Sequence, residues 1–165
     1  GWREAIGEER YKRLQPMKSF VNDGVKVVLS ADWPTAQLNP FLQIYTAMTR
    51  SRLGEEIIMP PASEKLSLED AIKAYTSDAA YALRMENIVG SIEVGKRADL
   101  IVLDRDIFKI PTDEIANTNV AITIMNGKIV HEEALNWLGD SELSNIINDF
   151  DVCGEHNEGN CNGEH

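Results

Sequence analysis

The most informative segment of the chain reads Gly90-Ser91-Ile92-Glu93-Val94-Gly95-Lys96-Arg97-Ala98-Asp99-Leu100-Ile101-Val102-Leu103-Asp104-Arg105-Asp106. Its pattern predicts two short strands, residues 91–94 and residues 100–103, joined by a tight turn. Gly95 suits that turn because glycine tolerates a positive φ. Residues 100–103 form an unbroken apolar run, which is typical of a strand that is buried on both faces. The local pattern therefore predicts a β-hairpin.

The same residues closely resemble the segment that follows the catalytic barrel in metal-dependent amidohydrolases. In that family, a run of the form G-x-I-x-x-G-K-x-A-D-L-x-V-L-D builds a small β-sandwich beside the barrel. The resemblance implies that the chain comes from this superfamily. A full (β/α)8 barrel needs roughly 250 residues, and the chain has 165. We therefore expect it to be the C-terminal part of a longer enzyme.

A second segment, residues 25–30, predicts a buried strand because four of its six residues are Val or Leu. It leads into Ala31-Asp32-Trp33-Pro34. In barrel enzymes, catalytic groups collect at the carboxyl ends of the strands, and a carboxylate there can bind a metal or act as a general base. An Asp in this position is also commonly a turn residue or a helix cap. The local pattern leaves both interpretations open.

The residues around Asp32 resemble the G-S-D-W/A-P segment at the end of the eighth barrel strand of the amidohydrolases. The resemblance implies that Asp32 is both a catalytic residue and a metal ligand that shuttles a proton. It also implies a divalent metal cofactor, with zinc expected, which polarises the substrate carbonyl and activates water. The implied reaction of the complete enzyme is hydrolysis of a non-peptide C–N bond in a small amide-type or N-acyl substrate.

Further segments follow in the order found in the family 3 branch of the amidohydrolases. A helix is predicted from Asn39-Pro40 to Thr49-Arg50, with Asn39 as its N-cap. A second helix is predicted from Ser67 to about residue 83. Asn126-Gly127 predicts a type I′ hairpin between residues 120–125 and 128–131. The resemblance spans roughly residues 5–132.

The predicted fold class is α/β. It comprises the C-terminal part of a (β/α)8 hydrolase barrel and strands of a composite β-sandwich. Residues 1–84 are predicted to be the end of the barrel, and residues 85–135 a segment of the sandwich. Residues 136–165 are predicted to be a helix, over residues 137–150, followed by an acidic and mobile tail.

The histidines depart from the family pattern, which needs an H-x-H pair and further His ligands. The chain has three histidines, His131, His156 and His165. Asp32 is therefore the one metal-binding residue that the resemblance carries over. We expect the chain alone to be inactive. We also expect it to self-associate, giving a homo-oligomer or aggregate, because a barrel strand at residues 25–30 would lack its neighbours.

Charge excludes some partners. The net charge is −11, and residues 131–165 hold nine acidic residues and no Lys or Arg. Nucleic acids and anionic membranes are therefore not expected as ligands. The chain shows no apolar stretch of membrane-spanning length and no signal peptide, so the expected location is cytoplasmic.

The acidic tail contains four residues of metal-ligating type, Cys153, His156, Cys161 and His165, at a spacing loosely similar to a zinc knuckle. A tail with two incidental thiols, or with a Cys153–Cys161 disulfide, fits the same residues. This tail motivates a second hypothesis for the chain. It would be a non-catalytic interaction module that binds a basic partner or a metal.

Overall fold

A computed structural model describes residues 2–56 and 59–133. The predicted helix at residues 137–150 and the Cys/His tail lie outside the described residues. The helices are α1 Trp2–Ile6, α2 Glu8–Tyr11, α3 Met17–Asn22, α4 Pro40–Thr49, α5 Leu68–Tyr75 and α6 Ser77–Ala82, with 3₁₀ helices at Ala62–Glu64 and Thr112–Asn117. The strands are β1 Leu100–Leu103, β2 Val120–Met125 and β3 Lys128–Glu132. No helix in this part of the chain is long and apolar enough to cross a membrane.

The chain divides into two compact units. The first comprises Gly1–Lys96 and Asp106–Thr118, and the second comprises Arg97–Arg105 and the chain from Asn119 onward. The chain thus leaves the first unit, returns to it, and leaves it again. The predicted boundary between residues 84 and 85 refers to the complete enzyme and stays a prediction.

The second unit contains a three-stranded antiparallel sheet in the order β1-β2-β3. Its core consists of the buried side chains of Ala121, Ile122 and Ile124, against which apolar residues of β1 and β3 pack. The hairpin predicted between residues 120–125 and 128–131 is confirmed. Its two turn residues, Asn126 and Gly127, have φ values of 51° and 76°, and a type I′ turn requires positive φ at both of these positions.

The strand predicted at residues 91–94 is wrong. Residues 91–94 contain no strand, and the side chains of Ile92 and Val94 are exposed. The predicted turn is present, since Lys96 N–H donates to Glu93 O at 3.1 Å and Gly95 has φ +92°. β1 pairs with β2 instead. The β2–β3 hairpin offers β1 an edge to pair with, whereas residues 91–94 pair with no strand of the described chain.

Helix α4 organises the first unit. Asn39 is its N-cap, as predicted, and the Asn39 side chain accepts a hydrogen bond from Phe41 N–H at 2.9 Å. The buried side chains of Phe41, Ile44 and Tyr45 lie on this helix. It packs against α5 and the Thr112–Asn117 3₁₀ helix. The buried face of α4 is therefore a central part of the core of this unit.

The helix predicted from Ser67 to about residue 83 is two helices, α5 and α6. The Ser67 hydroxyl accepts from Asp70 N–H at 3.1 Å, as the predicted cap requires. The break is at Thr76, whose φ and ψ are −121° and −93°. Its hydroxyl donates to Ile72 O at 2.8 Å, and such back-bonding by Thr competes with regular helix geometry.

A strand at residues 25–30 was the second expectation that proved wrong, because the described residues there form no sheet. Val25 N–H donates to Phe20 O at 2.9 Å, and Leu29 N–H donates to Ala74 O at 3.3 Å. All three strands of the described chain belong to the second unit. Residues 25–30 therefore have no neighbouring strand in their own unit. The described fold is a set of helices and one antiparallel sheet.

Candidate functional site

Asp32 lies in an exposed turn directly after residues 25–30. Its φ is +48°. Its N–H donates to the Ser30 hydroxyl at 3.2 Å, and its carbonyl accepts from Thr35 N–H at 2.8 Å. Trp33 beside it is 64% exposed, and the Trp33–Pro34 peptide bond is cis.

The side chain of Asp32 does not act as a cap. Among the described residues, no hydrogen bond or ion pair engages its carboxylate, and the turn is closed by backbone groups and by the Ser30 hydroxyl. Its φ of +48° suits a turn, because Asp tolerates this conformation, but its carboxylate makes no contact that closes the turn. The carboxylate is therefore accessible and uncommitted.

A groove of about 640 Å³ lies along residues 25–30. Apolar side chains make up much of its lining, among them Phe20, Val25, Val28 and Met59. Each of these four is partly exposed to solvent. Ser30 ends this wall two residues before Asp32. The first unit thus presents an open apolar surface that leads to the Asp32 turn.

Arg50 closes helix α4 and lines the same groove. It is 4% exposed, and its guanidinium donates to four backbone carbonyls at 3.0–3.2 Å, those of Leu14, Gln15, Met59 and Pro60. Burial lowers the pKa of Arg50 from its ordinary value, and the charge of Glu64 opposes that shift. One side chain therefore ties two separate loops to the end of α4.

Helix α3 is held in place near the groove by two polar contacts, one through hydrogen bonds and one through an ion pair. Glu64 accepts from Ser19 N–H at 2.8 Å and from the Ser19 hydroxyl at 2.5 Å. These bonds lower the pKa of Glu64 from its ordinary value. Lys18 donates to Asp70 at 2.7 Å, and this bond lowers the pKa of the Asp70 carboxyl. Both carboxylates are thus stabilised in their charged form.

The other cation that lines the groove is Lys26. Its ammonium lies 3.0 Å from the Asp78 carboxylate and 5.0 Å from the centre of the Tyr81 ring. It is therefore engaged with α6 rather than offered to a ligand.

The described residues contain no group of three or more His, Cys, Asp or Glu side chains that could hold a metal ion. Asp32 supplies a single carboxylate, and one carboxylate does not make a zinc site, which takes three or four ligands. The described residues alone therefore do not fit the metal that the family resemblance implies.

The contacts of Arg50 were not predicted from the sequence. The structure shows φ +59° at Arg50, a conformation that helix ends usually give to Gly or Asn. The sequence alone does not reveal this φ, so the partners of the Arg50 side chain could not be predicted from it. The identity of those partners, more than 30 residues away for Gln15, had no local signal.

Comparison with known proteins identifies the family to which the chain is similar. The sequence profile described as the amidohydrolase family matches residues 2–131. The chain is 33% identical over 137 residues to the N-substituted formamide deformylase of Arthrobacter pascens, a match that covers 80% of this chain and 25% of that enzyme. It is 32% identical over 130 residues to a 5-methylthioadenosine/S-adenosylhomocysteine deaminase of Caldanaerobacter subterraneus, covering 72% of this chain and 29% of the deaminase.

A solved structure agrees with these sequences. The crystal structure of an amidohydrolase from Thermotoga maritima superposes with a TM-score of 0.53 at 27% identity, over 71% of this chain and 26% of that one. The chain spans about a quarter of the length of the curated relatives it matches. Because the family profile covers residues 2–131, the family predicted from residues 90–106 is confirmed, and the chain belongs to the amidohydrolase family.

Proposed function

We propose that the complete protein hydrolyses non-peptide C–N bonds in small amide-type molecules, and that this chain supplies its C-terminal portion. Family membership and the names of the relatives support the reaction class. They include a formamide deformylase, a deaminase and, at 34% identity over 99 residues, an imidazolonepropionase of Bdellovibrio bacteriovorus. In this proposal residues 1–84 end a (β/α)8 barrel, and residues 85–135 contribute to a β-sandwich.

The observation that carries the proposal is the uncommitted carboxylate of Asp32. It lies in an exposed turn, with no hydrogen bond or ion pair among the described residues. The Ser30 hydroxyl and the backbone close the turn, so the carboxylate is not used to hold it. A carboxylate kept available in this way suits a group that binds and releases protons.

Asp32 then acts as the proton carrier. As water adds to the substrate carbonyl carbon, the carboxylate accepts one of the water protons. As the C–N bond breaks, the same group returns that proton to the leaving nitrogen. The products are a carboxylic acid and an amine, and the carboxylate ends the cycle in its starting form.

A divalent metal, with zinc expected, belongs to the proposal for the complete protein. Most of its ligands would come from outside the described residues, because these do not form a metal site. Asp32 would be the one ligand that the described residues contribute. No step above depends on the metal.

The test is Asp32→Asn in the complete protein. The amide keeps the size of the side chain but removes the base, so we expect kcat to fall by about 10³-fold or more while the fold is retained. Amine release from a panel of N-formyl and N-acyl amines measures the rate, and circular dichroism checks the fold.

Asp113→Asn is the matched control. Asp113 is also exposed and lies in the Thr112–Asn117 3₁₀ helix, away from the Asp32 turn in sequence. Its substitution should leave kcat and KM unchanged. Near-normal turnover of the Asp32→Asn protein would refute the assigned role.

A further inference from the structure

We propose that Trp33 selects the substrate by packing its indole ring against an aromatic group on the leaving nitrogen of the amide. The preferred substrates are then uncharged amides whose amine product carries an aromatic ring. This inference rests on the proposed function, because it takes Asp32 as the group that returns a proton to that nitrogen. The choice of an uncharged aromatic group follows from the exposure of Trp33 and the composition of its segment.

The indole of Trp33 is an open aromatic surface. It is 64% exposed, although Trp side chains are highly buried on average in folded proteins. Among the described residues, the two cation–π contacts involve the rings of Tyr11 and Tyr81, and none involves Trp33. Leu38, 65% exposed, adds further apolar surface to the same segment. Much of the Trp33 ring is therefore available to a ligand.

The segment that carries Trp33 is anchored at both ends. Thr35 N–H donates to Asp32 O at 2.8 Å, which closes the turn around Trp33. At the other end, the Gln43 side chain donates to Gln37 O at 3.1 Å and so joins the segment to α4. The backbone on either side of the indole is thus held without help from the indole itself. A surface held in this way loses little conformational entropy when it binds a ligand.

The position of Trp33 next to Asp32 decides which part of the substrate it meets. The Cα atoms of neighbouring residues lie about 3.8 Å apart. In the proposed reaction the Asp32 carboxylate returns its proton to the leaving nitrogen, so that nitrogen lies within hydrogen-bond reach of the carboxylate. The acyl group lies on the far side of the C–N bond. The neighbouring indole is therefore placed to contact the substituent on the nitrogen.

The charges of the segment favour an uncharged substituent. Asp32 is the one charged residue between residues 27 and 49, so an anionic substituent would meet a carboxylate and no cation. The two cations that line the neighbouring groove are held by other groups, Arg50 by four backbone carbonyls and Lys26 by Asp78. A cationic substituent would pair with the Asp32 carboxylate and oppose the protonation that the proposed reaction requires.

The indole also distinguishes an aromatic substituent from an aliphatic one. Two aromatic rings in offset or edge-to-face contact gain more than the burial of their apolar area alone provides. An aliphatic ring of similar size gains only the burial. An aromatic amine is therefore the leaving group that Trp33 favours most.

The competing explanation is that Trp33 packs against another part of the complete protein and has only a structural role. Its removal would then affect all substrates alike. Removal of a ring that contacts the nitrogen substituent affects one substrate and spares another. Substrates that differ only in that substituent therefore separate the two explanations.

The first experiment compares three acetamides as substrates of the complete protein used for the Asp32→Asn test. N-(2-phenylethyl)acetamide carries an aromatic ring, N-(2-cyclohexylethyl)acetamide carries an aliphatic ring, and N-ethylacetamide carries neither. We expect kcat/KM of the parent to fall in that order. Trp33→Ala should lower kcat/KM at least about tenfold for the phenyl substrate and less than about twofold for N-ethylacetamide. Trp33→Phe should retain most of the preference.

The second experiment uses this chain as it stands and requires no turnover. Saturation-transfer NMR identifies the protons of a weakly bound ligand that contact the protein. The phenyl protons of N-(2-phenylethyl)acetamide should receive saturation from the parent chain, and Trp33→Ala should reduce that signal at least about threefold. Phe108→Ala is the matched control, since the Phe108 ring is 62% exposed and lies in another turn, and it should leave the signal unchanged.

Circular dichroism shows whether each variant is folded. The inference is overturned if folded Trp33→Ala protein loses the same factor of kcat/KM on all three acetamides, or loses none. It is also overturned if the phenyl protons receive equal saturation with and without the Trp33 ring, or receive none from the parent chain.

The proposed function and the role of Trp33 fail separately. If Asp32→Asn keeps normal turnover while Trp33→Ala removes the preference for the phenyl substrate, the proton-carrier role fails and the Trp33 contact stands. If Asp32→Asn abolishes turnover and Trp33→Ala affects the three acetamides equally, the role of Trp33 alone is overturned. If the parent hydrolyses no amide, the proposed function is contradicted, and saturation transfer decides the Trp33 contact.

Discussion

Two apolar segments of this chain predict strands equally well, and only one of them forms a strand. Residues 100–103 become β1, paired along their length with β2. Residues 25–30 form no sheet, and the side chains of Val25 and Val28 stay about half exposed. The difference lies in the neighbours. β1 has a partner strand within the same unit, and residues 25–30 have none in the described chain.

The regions around these segments are also held together differently. The sheet is stabilised by apolar burial around Ile122 and Ile124, which are 0% and 2% exposed. The groove region is fixed by polar contacts of Arg50 and Glu64. The sheet is thus held mainly by apolar burial, and the groove region mainly by polar contacts.

The largest expected effect is a difference in stability between the two regions when one apolar side chain in each is shortened to Ala. Ile122→Ala should lower the free energy of unfolding by about 4 kcal/mol, because it leaves a cavity in the centre of β2. Val28→Ala should cost less than about 0.5 kcal/mol, since its side chain is 45% exposed. Chemical denaturation of both variants measures the difference. Equal losses would mean that residues 25–30 are packed as firmly as the sheet.

A smaller effect on stability is expected when the polar contacts of Arg50 are weakened. Arg50→Lys should cost about 3 kcal/mol, because an ammonium cannot reach the four carbonyls that the guanidinium satisfies and would be buried without enough partners. Arg52→Lys is the control, since the Arg52 side chain is 85% exposed, and it should change stability by less than about 0.5 kcal/mol. If both substitutions have the same small effect, the Arg50 contacts do not hold the groove.

The smallest expected effect is on how the stability of the fold depends on pH. The pKa values of Glu64 and Asp70 are lowered in the folded chain, chiefly by hydrogen bonds from Ser19 and Lys18 respectively. A lowered folded pKa stabilises the fold above the unfolded pKa, which is about 4 for these groups, and that contribution is lost as pH falls through the folded pKa.

Denaturation midpoints between pH 7 and pH 3 test this. Stability should stay level down to about pH 5 and fall below about pH 4. Glu64→Gln should make the fall shallower, since it removes one of the titrating groups. A midpoint that rises on acidification would contradict the assigned shifts.

Local signals in the sequence predicted the parts of the fold that depend on neighbouring residues. The Asn39 cap of α4, the Ser67 cap of α5 and the Asn126-Gly127 turn are all present. Each depends on hydrogen bonds or φ values within about three residues. The family, too, followed from an unbroken run of residues and is confirmed by the match over residues 2–131.

Features that depend on distant residues were not predictable in the same way. Pairing of β1 with β2, rather than with residues 91–94, depends on a hairpin about 20 residues further along. The partners of Arg50 lie up to 36 residues away. The role of Asp32 stays a prediction, because the groups that would act with it lie outside the described chain.

Amide hydrogen exchange, read residue by residue, tests most directly whether residues 25–30 lack the backbone pairing that holds the sheet. In this chain alone, the amides of Ile122 and Ile124 should be protected, while those of Val27 and Val28 should exchange near the rate of an open chain. Strong protection of Val27 and Val28 in this chain, equal to that of Ile122 and Ile124, would contradict the account.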